Sequence, residues 1–208
     1  MARPLGTTGK AQVLSEKEFK RVIAFVKGHY GEKFELRNRA ILYVSFYLGL
    51  RVSEIASLCI SHVYESGGSV KPVIRLTAPM TKSKRHRDVF TSNPVLIKIL
   101  AEYYSFMDKI YGGKLLEEMP LFQSQKGGKF SAKTLGRLIK DIYALAGFKE
   151  ASSHSGRRSM ITSLIDNGID IKAVSVIAGH TSITTTAIYA ESSPAKLSNI
   201  MKTVFRRV

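Results

Sequence analysis

Hydrophobic positions in the first part of the chain recur with the period of an α-helix. Over residues 15–28, apolar residues follow helical spacing behind Ser15 and Glu18, which form a capping-box pattern. A strongly apolar stretch over residues 35–48 predicts a second helix, and a third begins near Val52. The amino-terminal part is therefore predicted to be a succession of helices.

The middle of the chain follows a different pattern. Residues 73–76 and 88–90 are short, β-branched and bounded by polar residues, which is typical of two strands of a small sheet. The basic segment MTKSKRHR between them predicts the hairpin turn. Further predicted helices cover about residues 94–110, 135–146, 155–166, 170–178 and 182–190. The predicted fold class is α+β, mainly α-helical, with a small antiparallel sheet.

The elements indicate one domain with a segment at each end. Residues 1–12 are basic and aperiodic, so we expect a flexible arm. Residues 13–190 form the predicted domain, in which residues 112–130 are rich in loops. Residues 191–208 contain one amphipathic helix, which either packs on its own domain or is exchanged between protomers.

The charge balance points to a polyanionic partner. Lysine and arginine total 32 and aspartate and glutamate total 16, so the formal net charge is +16. The basic residues are spread over the whole chain, which favours a folded nucleic-acid-binding surface over a basic arm on a neutral domain. The alternative is a basic surface that serves solubility alone.

Composition also bounds the compartment and the cofactors. Cys59 is the single cysteine, which excludes a disulfide framework and fits a reducing, cytoplasmic location. No apolar run approaches the ~20 residues of a membrane span, and no signal peptide follows Met1. The five histidines show no metal-binding spacing, and no glycine-rich nucleotide loop is present. We therefore expect chemistry without a metal or a cofactor.

The segment GLRVSEI places one arginine between two apolar helices. Arg51 needs an anionic partner there, because an unpaired charge is costly to bury. That partner is either a ligand or Glu54, three residues on, which is expected to orient the local network and balance its charge.

The basic turn after the first strand is a second candidate. This turn is predicted to contact DNA or to supply one positioned lysine, and its basic residues are Lys82, Lys84, Arg85 and Arg87. The alternative is a solvated turn.

A third candidate is the start of the helix over residues 155–166. His154 and Arg157 are three residues apart and so lie on one helix face, where free N–H groups also favour an anion. Arg158 points elsewhere and is predicted to contact solvent or a nucleic-acid backbone.

The fourth pattern is Gly179-His180, nine residues before Tyr189. Each residue alone is explained as readily by a structural role. With the other candidates they form a coherent set, because arginines bind the oxygens of a phosphodiester under attack and lysine can protonate the leaving oxygen. Tyrosine, with a pKa near ~10, needs a base or cations to attack phosphorus.

With these four patterns together, the chain resembles the tyrosine recombinases, also called the phage integrase family. GLRVSEIASL is similar to the family's first motif, and HSGRRSMITSLIDNGIDIKAVSVIAGHTSITTTAIYA to its second, although Gly156 stands where the family more often has leucine. The resemblance implies that Arg51 and Arg157 clamp the scissile phosphate and that His180 hydrogen-bonds one of its oxygens.

The resemblance also implies the roles of the remaining side chains. Tyr189 would form a 3′-phosphotyrosyl intermediate, and His154 would help accept its proton. Lys82 would be the general acid for the 5′ leaving group, with Lys84 as its rival. The linkage conserves the bond energy, so religation needs no ATP.

The expected function is therefore that of a site-specific DNA recombinase. The resemblance implies double-stranded DNA sites as substrate, a tetramer on that DNA, possible accessory DNA-bending proteins and a bacterial or phage-encoded, nucleoid-associated protein. No counterpart of the family's amino-terminal DNA-clamping domain is visible, which resembles the short single-domain members or a shortened form of a longer chain. The alternatives are a type IB topoisomerase and a DNA-binding regulator without catalysis.

Overall fold

The computed structural model describes residues 11–190 and confirms the mainly helical fold class. Helix α1 covers Glu16–His29 and begins with the expected capping box. The Glu18 backbone N–H donates to the Ser15 hydroxyl at 3.3 Å, and the Glu18 carboxylate accepts from the Ser15 backbone N–H at 2.8 Å. Residues 1–10 of the arm predicted over residues 1–12, and the tail predicted over residues 191–208, lie outside the described residues.

Helix α2, Glu32–Tyr47, is the centre of the core. Every residue from 37 to 45 is buried, and the helix packs against α1 and against α5, which covers Pro94–Ile110. It begins three residues before the predicted boundary, because Gly31 takes an extended conformation at its N-cap. Burial on every side explains the unbroken apolar run over residues 40–44.

Two short helices and a hairpin follow α2. Helix α3 covers Val52–Ser57 and α4 covers Ile60–Val63. Strands β1, Val73–Leu76, and β2, Arg87–Phe90, pair antiparallel and form a two-stranded sheet within residues 11–190. A 3₁₀ turn at Ala78–Met80 leads from β1 into the basic turn and packs against α3.

The loop-rich segment over residues 112–130 is attached to α2 by one arginine. The Arg37 guanidinium lies 4.7 Å from the Phe34 ring centroid and 5.3 Å from that of Phe130, and it donates to the Gln123 carbonyl at 2.8 Å. Its burial lowers the pKa of Arg37 from its ordinary value. Helix α6, Ala132–Leu145, follows and packs against α3.

The last three described helices are α7, Ser155–Asp166, α8, Ile171–Ala178, and α9, Ile183–Ala187. The chain divides into two compact units, Met1–Met160 and Ile161–Val208, so the boundary falls inside α7. The first unit holds α1 to α6, the sheet and the start of α7, while α8 packs on α9 in the second. No helix among residues 11–190 is long and apolar enough to cross a membrane.

Candidate active site

Arg51 and Glu54 form an ion pair at the start of α3. The Arg51 Nη1 donates to Glu54 Oε1 at 2.8 Å, and the Arg51 backbone N–H donates to Oε2 at 2.8 Å. The Glu54 side chain is fully buried, whereas that of Arg51 is 23% exposed. The ion pair expected as an alternative is therefore present, and the exposed part of Arg51 can still meet an anion.

Arg87 joins the same carboxylate from β2. Its Nη2 donates to Glu54 Oε2 at 2.7 Å, and its side chain is 9% exposed. Burial lowers the pKa of Arg87 from its ordinary value, while the Glu54 carboxylate acts in the opposite direction. The sequence grouped Arg87 with the DNA contacts, but the structure brings it to the Arg51 and Glu54 pair.

Strand alternation explains the position of Arg87. It lies opposite Leu76 in the sheet, and the neighbouring pair on that face, Ile74 and Val89, is buried. The spacing of two between Arg87 and Val89 was a signal in the sequence, because alternate residues of a strand share a face.

The basic turn is closed by Thr81. Its hydroxyl donates to the Arg85 carbonyl at 2.8 Å and accepts from the Arg85 backbone N–H at 3.1 Å. Lys84 adopts a left-handed conformation with φ of 52°, which is uncommon outside glycine. Lys82, Lys84 and Arg85 are exposed, and both lysines line one shallow pocket with Ala78.

Arg157 ties the start of α7 to the segment that carries Arg51. Its Nη1 donates to the Gly49 carbonyl at 2.6 Å, and the residue is 5% exposed. His154 is exposed and immediately precedes α7, while Arg158 is half-buried one residue after Arg157. The first unit thus brings the two predicted clamp arginines to one short segment.

His180 and Tyr189 lie together in the second unit. Their ring centroids are 6.0 Å apart with an angle of 19° between the planes. The His180 Nδ1 and the Thr186 hydroxyl are 2.8 Å apart, and Gly179, with φ of 64°, makes the bend between α8 and His180. The sequence did not single out Thr186, whose buried hydroxyl orients the imidazole.

The sequence also did not single out a basic face on α6. Lys133, Arg137 and Lys140 are exposed at helical spacing, opposite the buried face of the helix. Gly136 lies between them, and a Cβ there would meet Ser153 Oγ at 3.6 Å, one residue before His154. This basic face therefore belongs to a helix that passes close to the candidate site.

Metal ligands do not cluster in the part of the chain that the structure describes. Residues 11–190 contain no group of three or more histidine, cysteine, aspartate or glutamate side chains that could hold a metal ion.

Comparison with known proteins identifies the family. The model of the phage integrase family matches residues 12–196, so the chain belongs to this family, which confirms the resemblance drawn from the motifs. Among curated proteins, tyrosine recombinase XerC of Pelobacter propionicus is 28% identical over 170 residues, which are 81% of this chain and 52% of that protein. Tyrosine recombinase XerA of Pyrococcus furiosus is 29% identical over 194 residues, 91% of this chain and 60% of that protein.

Solved structures share the fold. A crystal structure of XerA recombinase superposes with a TM-score of 0.72 at 29% identity, covering 92% of this chain and 64% of that one. XerH site-specific recombinase bound to its palindromic difH substrate gives a TM-score of 0.72 at 22% identity, covering 91% of this chain and 51% of that one. The chain therefore spans just over half the length of the curated relatives it matches.

Proposed function

We propose that this chain is a site-specific DNA recombinase that cuts and rejoins DNA through a 3′-phosphotyrosyl intermediate on Tyr189. The observation that carries the proposal is the bond from Arg157 to the Gly49 carbonyl, two residues before Arg51. Two guanidiniums, one carried by this segment and one hydrogen-bonded to it, suit the two non-bridging oxygens of a phosphodiester. The family and its relatives, which are named tyrosine recombinases, support the same reaction.

In the proposed reaction, the Tyr189 hydroxyl attacks the scissile phosphorus and gives up its proton with the help of His154. The P–O5′ bond breaks, and Lys82 donates a proton to the leaving 5′ oxygen. Arg51 and Arg157 neutralise the charge that gathers on the phosphate, and His180 hydrogen-bonds one of its oxygens. The 5′-hydroxyl of a partner strand then attacks the phosphotyrosine and releases Tyr189.

Duplex DNA is the proposed substrate. The exposed residues Lys82, Lys84 and Arg85 of the turn and the basic face of α6 supply cations for backbone phosphates. Arg158 is a further candidate contact. The net charge of +16 supports a polyanionic partner of this kind.

The adduct assay tests the chemistry. We would incubate the protein, in EDTA and without ATP, with nicked duplexes from either side of its own gene and look for an SDS-resistant protein–DNA adduct. Wild-type protein and Tyr104→Phe, a half-buried tyrosine in the first unit, should form it, and Tyr189→Phe should not. An adduct that persists in Tyr189→Phe would refute the assignment.

The same preparations separate the competing functions. Relaxation of a supercoiled plasmid without the recombination site would indicate a type IB topoisomerase. A footprint on the flanking DNA without any adduct would indicate a DNA-binding regulator that lacks catalysis.

The proposal extends to how protomers of this chain assemble on DNA. We propose a tetramer on two DNA sites in which residues 191–208 are exchanged between protomers, helped by accessory DNA-bending proteins. Truncation after Ser193 should then abolish the large complex on a native gel while the truncated monomer keeps its melting temperature. A complex of unchanged size would contradict the exchange.

A further inference from the structure

The buried carboxylate of Glu54 joins the Arg51 segment to the hairpin in the first unit. Glu54 accepts hydrogen bonds from the Arg51 backbone, the Arg51 guanidinium and the Arg87 guanidinium, at 2.7 to 2.8 Å. Arg51 belongs to the segment that carries the phosphate clamp, and Arg87 belongs to the hairpin. A fully buried carboxylate is stable only when it is paired and hydrogen-bonded, so losing either guanidinium leaves the Glu54 charge poorly compensated.

Arg87 is also closely coupled to the basic turn. It begins β2 two residues after Arg85, which is bonded through backbone N–H and carbonyl to the Thr81 hydroxyl. Lys82 follows Thr81 directly. A displacement of Arg87 is therefore transmitted to Lys82 through a short, closed turn.

We propose that Arg87 is a positioning residue that fixes the hairpin, and with it the general-acid lysine, against the Arg51 segment through Glu54. This inference rests on the proposed function. Arg87 does not touch the DNA in this role, in contrast to its neighbours Lys84 and Arg85, which are exposed.

The role has a specific chemical consequence. The lysine ammonium gives its proton to O5′ as the P–O5′ bond breaks, so misplacing the hairpin slows protonation of the leaving group. The clamp residues Arg51 and Arg157 keep their own bonds to Glu54 and to the Gly49 carbonyl. Loss of Arg87 should therefore resemble loss of the acid and not loss of the clamp.

A sulfur substitution separates these two kinds of loss. We would make the nicked duplex that wild-type protein cleaves in two forms, with oxygen or sulfur as the 5′-bridging atom of the scissile phosphate. A thiol has a pKa near ~8.5, so a thiolate leaves without a general acid. The rate of adduct formation is measured for both forms at saturating protein.

On the oxygen substrate, Arg87→Gln should slow adduct formation by about 10- to 100-fold, as expected for a general acid held out of place. On the sulfur substrate, Arg87→Gln and Lys82→Ala should both form the adduct within about threefold of the wild-type rate, because neither variant then needs the acid. Arg157→Gln should remain slow on both substrates. Arg75→Gln, an arginine exposed on the other face of the same hairpin, should leave both rates unchanged.

The outcomes decide between the two roles. Equal slowing of Arg87→Gln on both substrates would overturn the inference and place Arg87 with the clamp or the DNA contacts. Recovery of Lys84→Ala in place of Lys82→Ala would move the acid to Lys84 but leave the role of Arg87. If Arg87→Gln does not fold, as judged by its melting curve, Arg87→Lys replaces it, with a smaller loss that sulfur again removes. An adduct that persists in Tyr189→Phe would refute the proposed function itself, whatever the rates of the Arg87 variants.

Discussion

Gly156, between His154 and Arg157, packs closely against Ser45 of α2. A Cβ at this position would lie 2.5 Å from Ser45 Oγ and 3.0 Å from the Ser45 backbone carbon. Because backbone atoms cannot move aside as a flexible side chain can, Gly156→Ala must push α7 away from α2. The shift would carry Arg157 away from the Gly49 carbonyl.

We predict that Gly156→Ala lowers the free energy of unfolding by about 1–3 kcal/mol, the usual cost of overpacking. It should also slow adduct formation. Gly28→Ala is the matched control, since Gly28 lies in α1 and an alanine Cβ there would have no atom within 4 Å, so the substitution should stabilise by about 0.5–1 kcal/mol. Urea unfolding measures both, and equal effects of the two substitutions would contradict the packing argument.

At the scale of elements, the segment over residues 112–130 shows how little regular structure is needed to fix a loop. Its backbone is hydrogen-bonded to residues 58–61, and the buried Arg37 guanidinium links it to α2. That cation lies between two aromatic rings and satisfies a buried carbonyl. Arg37 therefore orders the loop that leads into α6.

We predict that Arg37→Leu destabilises the fold by about 1–3 kcal/mol, the cost of leaving a buried acceptor without its donor. In this variant the segment over residues 112–130 should become the first site of limited proteolysis. Arg21→Leu is the control, because Arg21 is exposed and contacts a single ring, that of Phe148, at 5.5 Å. Similar losses in the two variants would show that the buried bond contributes little.

The elements themselves were largely predictable, and the contacts between them were not. Helical periodicity located α1, α5 and α6, since each buries one face, and short β-branched runs bounded by polar residues located both strands. The period cannot show which elements meet. The Glu54 junction with Arg87, 33 residues away, depends on tertiary packing. The bond of His180 to Thr186 depends on the path of the chain between α8 and α9. Local spacing could reveal the pair of Arg51 and Glu54 because it lies within one helical turn.

At the scale of the whole molecule, the proposed machinery is divided between the two compact units. Arg51, Lys82, His154 and Arg157 belong to the first unit, and the pair of His180 and Tyr189 belongs to the second. The positive charge of the molecule acts at longer range, and under the proposed function it attracts the DNA first.

The basic face of α6 can be tested through this long-range binding without knowing the recombination site. Log K falls as log salt rises, and removing one lysine that neutralises a phosphate should make this slope less steep by about 0.9 for duplex DNA. Lys133→Gln with Lys140→Gln should therefore reduce the slope by about 1.8, with a weaker affinity at low salt. Lys98→Gln with Lys109→Gln makes the same change of charge on exposed lysines of α5 and serves as the control. Fluorescence anisotropy with a labelled duplex at several salt concentrations gives both slopes. If the two double variants reduce the slope equally, α6 has no special part in binding and the attraction comes from net charge alone.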